Sequence, residues 1–118
     1  MESGICRAAS LGRWTQFEWS RGVQVDGLVP LDTLTVRTRN SRYELTVLLP
    51  ATSEVLVRGG RFFPEFTRIR VSGSSMGGGC LKQRGIYVGF LLEFAHAGQT
   101  IRTTRVQTVE KTTGTAVH

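Results

Sequence analysis

The chain has 118 residues, enough for one domain with a hydrophobic core and too few for two ordinary domains. With 40% hydrophobic and 20% charged residues it is not disordered by composition, and no apolar run reaches the roughly 18 residues of a membrane helix. The net charge of +6 is carried almost wholly by arginine. Guanidinium groups pair well with phosphate and carboxylate, so this charge favours an anionic partner, while genome base composition offers an equally simple origin for the bias.

The cysteines and histidines predict no reactive centre. Cys6 and Cys80 are far apart, so we expect two reduced thiols, with one disulfide from the N-terminal segment to a glycine-rich loop as the alternative. His96 and His118 have no metal-ligand spacing with the cysteines, which predicts no metal and no cofactor. Residues 1 to 11 lack the apolar core of a secretory signal. This favours a cytoplasmic location without membrane attachment.

Three regions differ in regularity. Residues 1 to 30 predict an irregular segment that packs on the domain, in which Trp14 and Phe17 have roughly helical spacing and a strand is the alternative. Residues 31 to 109 form the predicted β-barrel domain. Residues 110 to 118 are mostly small and polar and form a predicted flexible tail.

From residue 31 onward, apolar and polar residues alternate with period two, which is typical of strands with one buried face. Folding the chain about Asn40 and Ser41 pairs Val36 with Leu45 on the apolar face. This pattern predicts a first hairpin.

The same register sets Arg39 directly opposite Arg42. Two like charges in a cross-strand pair are destabilising unless water screens them or an anion lies nearby. The pair is the one unfavourable contact in the predicted ladder. Arg58 and Arg61 flank the turn of the next hairpin in the same way, which makes the arrangement a repeated feature.

That next turn is the pair Gly59 and Gly60, which permits the positive φ of a tight turn and predicts a second hairpin. The register about this turn pairs Val57 with Phe62. Pro64 cannot donate a ladder hydrogen bond, so the strand is an edge there or ends there.

The remaining residues predict strands, a loop and a third hairpin. Residues 66 to 72 alternate, residues 72 to 80 are glycine-rich and predict a mobile loop, and residues 86 to 95 suit a central strand bent at Gly89. A turn near Ala97 and Gly98 pairs Phe94 with Ile101 and Glu93 with Arg102. Together these elements predict an all-β fold, a small antiparallel barrel or sandwich of six to seven short strands built from hairpins.

Two stretches, residues 35 to 45 and 55 to 65, resemble a group of short, uncharacterised bacterial proteins, and the resemblance covers roughly residues 30 to 108. The group carries no activity that can be transferred. The resemblance therefore implies a bacterial source and no site residues.

Alternate turns of a meander lie at the same end of its sheet, and a turn predicted at residues 50 to 53 separates the two hairpin turns. The flanking arginines are therefore expected at one edge. The predicted anion-binding residues are Arg39, Arg42, Arg58 and Arg61, extended by Arg37, Arg68 and Arg70. Such a cluster suits phosphate because each guanidinium offers paired donors. The alternative is a solvated rim in which Glu44, Glu54 and Glu65 neutralise part of the charge.

Three phenylalanines, Phe62, Phe63 and Phe66, follow the second turn. Such clusters are more often core, but aromatic side chains beside arginines are also how single-strand binders stack on bases. Phe63 is the one we expect to be exposed for stacking, because its neighbour faces the other way.

The preferred function is that of a non-enzymatic basic domain that binds an anionic partner along the arginine edge, with nucleic acid first and an acidic protein surface second. The alternative is a structural or regulatory module, able to form homo-oligomers, that pairs through an apolar face carrying Leu48 and Leu56. An enzyme is least favoured, because the carboxylates are scattered and neither a nucleophile motif nor a phosphate-binding loop is present.

Overall fold

The computed structural model describes residues 21 to 76 and 80 to 112. Over these residues the protein consists of nine strands and two single-turn 3-10 helices, Val25–Gly27 and Pro50–Thr52. The strands are β1 (Gly22–Gln24), β2 (Thr33–Thr38), β3 (Arg42–Leu49), β4 (Glu54–Gly59), β5 (Phe63–Ser75), β6 (Leu81–Gln83), β7 (Gly85–Tyr87), β8 (Leu91–His96) and β9 (Gln99–Thr112).

Six strands close into a ring in the order β2, β3, β4, β5, β8 and β9, with β9 pairing back onto β2. All pairings between described strands are antiparallel. β6 pairs with the end of β5, while β1 and β7 form a separate two-stranded sheet. The predicted all-β antiparallel fold built from hairpins is confirmed.

The inside of the ring is filled by the apolar residues of the period-two pattern. Within this core, the rings of Tyr43 and Phe63 each meet the ring of Phe94 edge to face, at centroid distances of 5.7 and 5.6 Å. All three side chains are buried. Edge-to-face contacts of this kind add to the stabilisation from burial alone.

The first hairpin, β2 and β3, has a register two residues away from the predicted one. Val36 pairs with Tyr43, so its predicted pairing with Leu45 is wrong. The Thr38 N–H donates to the Ser41 carbonyl at 2.8 Å, and the Ser41 N–H donates to the Thr38 hydroxyl at 3.1 Å, which closes the turn one residue earlier. A shift of two residues preserves the alternation, so the predicted apolar face is still the buried one.

The register of the second hairpin, β4 and β5, differs from the predicted one by an odd number of residues. Gly59 pairs with Phe63, and a bulge separates this pair from those at Val57, so the predicted pairing of Val57 with Phe62 is wrong. Gly59 has a φ of 139°, and a Cβ there would lie 2.1 Å from the carbonyl oxygen of Arg42. Because an odd shift exchanges the two faces of a strand, it turns the following side chains over.

The third hairpin, β8 and β9, has the predicted register, including the pair of Phe94 with Ile101. Ala97 and Gly98 both have positive φ, 53° and 79°, as a two-residue hairpin turn requires. The continuous strand predicted before this hairpin is instead two strands in different sheets, because the chain bends at Gly89 with a φ of 94°.

Parts of two segments predicted to be irregular belong to strands. Residues 72 to 75 extend β5, where Gly73 pairs with both β6 and β8. Residues 110 to 112 extend β9, and the Lys111 amine lies 3.7 Å from the carboxylate of the buried Asp32. The rest of the predicted loop and tail lies outside the described residues, except for residues 76 and 80.

In the N-terminal region, Val25 is fully buried in the core and its N–H donates to the Arg84 carbonyl at 2.8 Å. The aromatic segment around Trp14 lies outside the described residues. Cys80 is buried and disulfide-bonded, so the prediction of two reduced thiols is wrong, and Cys6 lies outside the described residues. Separation along the sequence did not exclude a disulfide, because its formation depends on distance in the fold.

Candidate anion-binding surface

The turns of the first and second hairpins lie at the same end of the ring, because neighbouring strands are antiparallel and alternate turns then share an end. Asn40 and Ser41 from the first turn and Gly60 and Arg61 from the second line one cavity there. Arg39 belongs to the first turn. The fold thus brings the two arginine-bearing turns together.

The cross-strand arginine pair of the first hairpin is Arg37 with Arg42, and the predicted pair of Arg39 with Arg42 is wrong. The two-residue shift of the register causes the exchange. Arg37 and Arg42 are both exposed. Two like charges therefore do lie directly opposite one another, at a cost in stability, but the partner of Arg42 is Arg37 and not Arg39.

Arg58 and Arg61 do not form a cross-strand pair. Arg58 lies opposite Glu44, with its Nη2 2.6 Å from the carboxylate, and its guanidinium lies 4.4 Å from the centre of the Phe66 ring. Arg61 is exposed in the turn. Within the described part of the chain, no carboxylate pairs with Arg61.

Arg68 and Arg70 are exposed on the outer face of β5. Arg68 donates from Nε and Nη2 to one carboxylate oxygen of Glu54, at 3.0 and 2.7 Å. These bonds hold the pKa of Glu54 below its usual value, helped by a hydrogen bond from Thr52 and by the charge of Arg70. Glu54 is therefore ionised at neutral pH and neutralises Arg68.

The seven predicted arginines form what we call the arginine surface. Three of them have carboxylate partners: Arg58 and Arg42 contact Glu44, the latter at 3.8 Å, and Arg68 contacts Glu54. Within residues 21 to 76 and 80 to 112, no ion pair is made by Arg37, Arg39, Arg61 or Arg70. Neutralisation of the rim by glutamate is thus partial.

The prediction that Phe63 is exposed for stacking is wrong. Phe63 is 1% exposed and packs in the core, whereas Phe62 is 52% exposed and Phe66 is 45% exposed. The cause is the odd register shift at Gly59, which turns Phe63 inward and leaves Phe62 in the turn. The aromatic side chains beside the arginines are therefore Phe62 and Phe66.

A cavity of about 720 Å³ opens between the two turns and β9. Its wall includes the aromatic residues Tyr43 and Phe62 and the cations Arg61 and Arg102, and no carboxylate is among its lining residues. Its volume is in the range of small-ligand sites. The sequence did not indicate this cavity, because its wall combines residues from three hairpins.

The chain matches no protein-family model, no curated protein and no solved structure. The described residues include no group of His, Cys, Asp and Glu side chains that could hold a metal ion. They also include no helix that is long and apolar enough to cross a membrane. The arginine surface and the cavity are therefore the features on which a functional proposal rests.

Proposed function

We propose that this protein is a small, basic, non-enzymatic β-barrel domain that binds nucleic acid through the arginine surface. The observation that carries the proposal is the pair of Arg37 and Arg42, which lie directly opposite one another on the exposed face of the first hairpin. Their repulsion costs stability in the free protein. A phosphate between the two guanidinium groups would remove that cost and accept hydrogen bonds from both.

The spread of the arginines favours a polymer of phosphates. They lie on two turns and on four neighbouring strands of the six-stranded ring, so they extend around about half of its outer surface. The exposed rings of Phe62 and Phe66 lie beside these charges. Aromatic side chains among cations are typical of nucleic-acid binders, because bases stack on them, whereas binding to an acidic protein surface does not require them.

A second candidate, self-association or binding of another protein, is favoured by exposed apolar side chains at the opposite end of the ring. These are Val29, Leu31 and Leu49, which are 46 to 68% exposed. Leu48 and Leu56, which the sequence favoured for this role, are half-buried. A dimer mass that does not change with concentration in light scattering would support this candidate, and a monomer would count against it.

The proposal is tested by the binding of a fluorescein-labelled single-stranded oligonucleotide, followed by anisotropy at several salt concentrations. Arg37→Ala should weaken binding and reduce the slope of log K against log salt by about 0.7, the value for one phosphate contact. Its free energy of unfolding should not fall, because the variant relieves the repulsion with Arg42. Loss of binding together with loss of stability would point to misfolding.

Two further variants serve as controls. Arg105→Ala removes one positive charge from β9, which carries none of the seven arginines, and should leave the affinity nearly unchanged. Glu44→Gln removes the partner of Arg42 and Arg58 and should strengthen binding, a gain that damage to the fold cannot produce. If the wild-type protein does not bind at low salt, or if all three variants bind alike, the proposal is wrong.

A further inference from the structure

The cavity between the two turns contains a polar group without a partner. The residue Tyr43 is 3% exposed, and its hydroxyl makes no hydrogen bond with any described residue. A Cβ placed on Gly60 would lie 2.7 Å from this hydroxyl, so the hydroxyl lies directly beside the glycine in the cavity wall. Among the described residues, the fully buried side-chain polar atom without a partner is Thr104 Oγ1, which belongs to the same wall, whereas the Tyr43 hydroxyl is open to the cavity. The Tyr43 hydroxyl is therefore available to a ligand in the cavity.

The rest of the wall supplies an aromatic face and positive charge. Phe62, at the tip of the second turn, is half-exposed and belongs to the wall. Arg61 stands beside it without a carboxylate partner among the described residues, and Arg102 is held in place by a hydrogen bond of 3.0 Å to Glu93. A ligand that fits these groups has a flat ring, a polar edge and an attached anion.

We propose that the cavity accepts one unstacked base of a single-stranded nucleic acid. The base stacks on Phe62, its polar edge hydrogen-bonds to the Tyr43 hydroxyl, and the adjoining phosphate pairs with Arg61. A base inside a duplex cannot enter a cavity without being flipped out of its stack, so the site selects single strands. This inference rests on the proposed function and specifies its substrate.

The arginine surface continues from the cavity along the outer faces of β2 to β5, where it meets the phosphates on either side of the inserted base. The two parts therefore have different tasks. The arginines supply affinity for any phosphate chain, and the cavity distinguishes a strand with free bases from other polyanions.

The test compares three ligands in anisotropy competition: a single-stranded oligonucleotide, the same sequence as a duplex, and inorganic polyphosphate, which has charge but no bases. The wild-type protein should prefer the single strand. Phe62→Ala should weaken single-strand binding by about 5- to 150-fold, the range for loss of one base stack, and leave polyphosphate binding unchanged. Leu49→Ala is the control, because Leu49 is similarly exposed but lies at the opposite end of the ring, outside the cavity wall and the arginine surface.

Tyr43→Phe is the sharper variant. It removes a single oxygen that has no partner among the described residues, so the thermal midpoint should not fall, while single-strand affinity should fall by about 2- to 12-fold, the range for one hydrogen bond. A drop in thermal midpoint with unchanged affinity would assign the hydroxyl a structural role and overturn the inference.

Other outcomes separate this inference from the proposed function. Equal affinity for single strand and duplex, with no effect of Phe62→Ala, would overturn the cavity site and leave the arginine surface standing. An effect of Leu49→Ala as large as that of Phe62→Ala would also overturn it. Failure to bind any of the three ligands at low salt would overturn both.

Discussion

Replacing Gly59 with alanine should destabilise the protein by at least about 3 kcal/mol, because two separate penalties act at this position. The φ of 139° is strained for any residue with a Cβ, and that Cβ would lie 2.1 Å from the Arg42 carbonyl oxygen and 2.8 Å from the Tyr43 Cα. Both are backbone atoms of β3. Relief would require β4 to move away from β3 at the end of β4, where the second turn begins.

The matched control is Gly27→Ala. No atom lies within 4 Å of a Cβ at Gly27, and its φ is not positive, so the free energy of unfolding should change by no more than about 0.5 kcal/mol. Urea denaturation followed by circular dichroism measures both variants. A Gly59→Ala protein as stable as the wild type would mean that the close approach of β3 and β4 is not present in solution.

Phe63→Ala should cost about 3 to 5 kcal/mol, since it deletes a fully buried ring that meets Phe94 edge to face at 5.6 Å. The adjacent substitution Phe62→Ala should change stability by less than about 1 kcal/mol, because that ring is half-exposed in the turn. Comparing these neighbours by thermal or urea denaturation tests which phenylalanine is in the core. If Phe62→Ala instead lost more stability than Phe63→Ala, the register in which Phe62 pairs with Val57 would be the correct one.

The accuracy of the sequence predictions depended on how strongly each turn specified its register. In the third hairpin, Ala97 and Gly98 provide an unambiguous two-residue turn, and the resulting pairs were correct. In the first hairpin, a pattern of period two cannot distinguish registers that differ by two residues. The buried face was therefore right, while the arginine opposite Arg42 was not.

The register of the second hairpin could not be predicted, because a bulge near the turn interrupts the alternation of buried and exposed residues. Pro64 cannot donate to the ladder, which was a sign that pairing is interrupted near the turn, but the sequence does not show how many residues the interruption adds. Because Gly59 pairs with Phe63, it is Phe63 that is buried and Phe62 that is exposed, the reverse of the prediction. One odd shift thus changed which aromatic ring belongs to the candidate site.

The cavity had no signal in the sequence. Tyr43 belonged to the apolar side of β3 in the predicted pattern, and nothing indicated that its hydroxyl would face a cavity. Arg102 was predicted only as the cross-strand partner of Glu93, a contact that the structure has. The two join Phe62 in one wall only because the ring closes between β9 and β2.

The most direct test of nucleic-acid binding by the arginine surface is a titration of the isotope-labelled protein with a single-stranded oligonucleotide, followed through its backbone amide chemical shifts. The largest changes should occur at residues 37 to 44 and 58 to 70, which contain the seven arginines and both hairpin turns. Changes confined to residues 28 to 32 and 48 to 52, at the opposite end of the ring, or no changes at low salt, would contradict the proposed function.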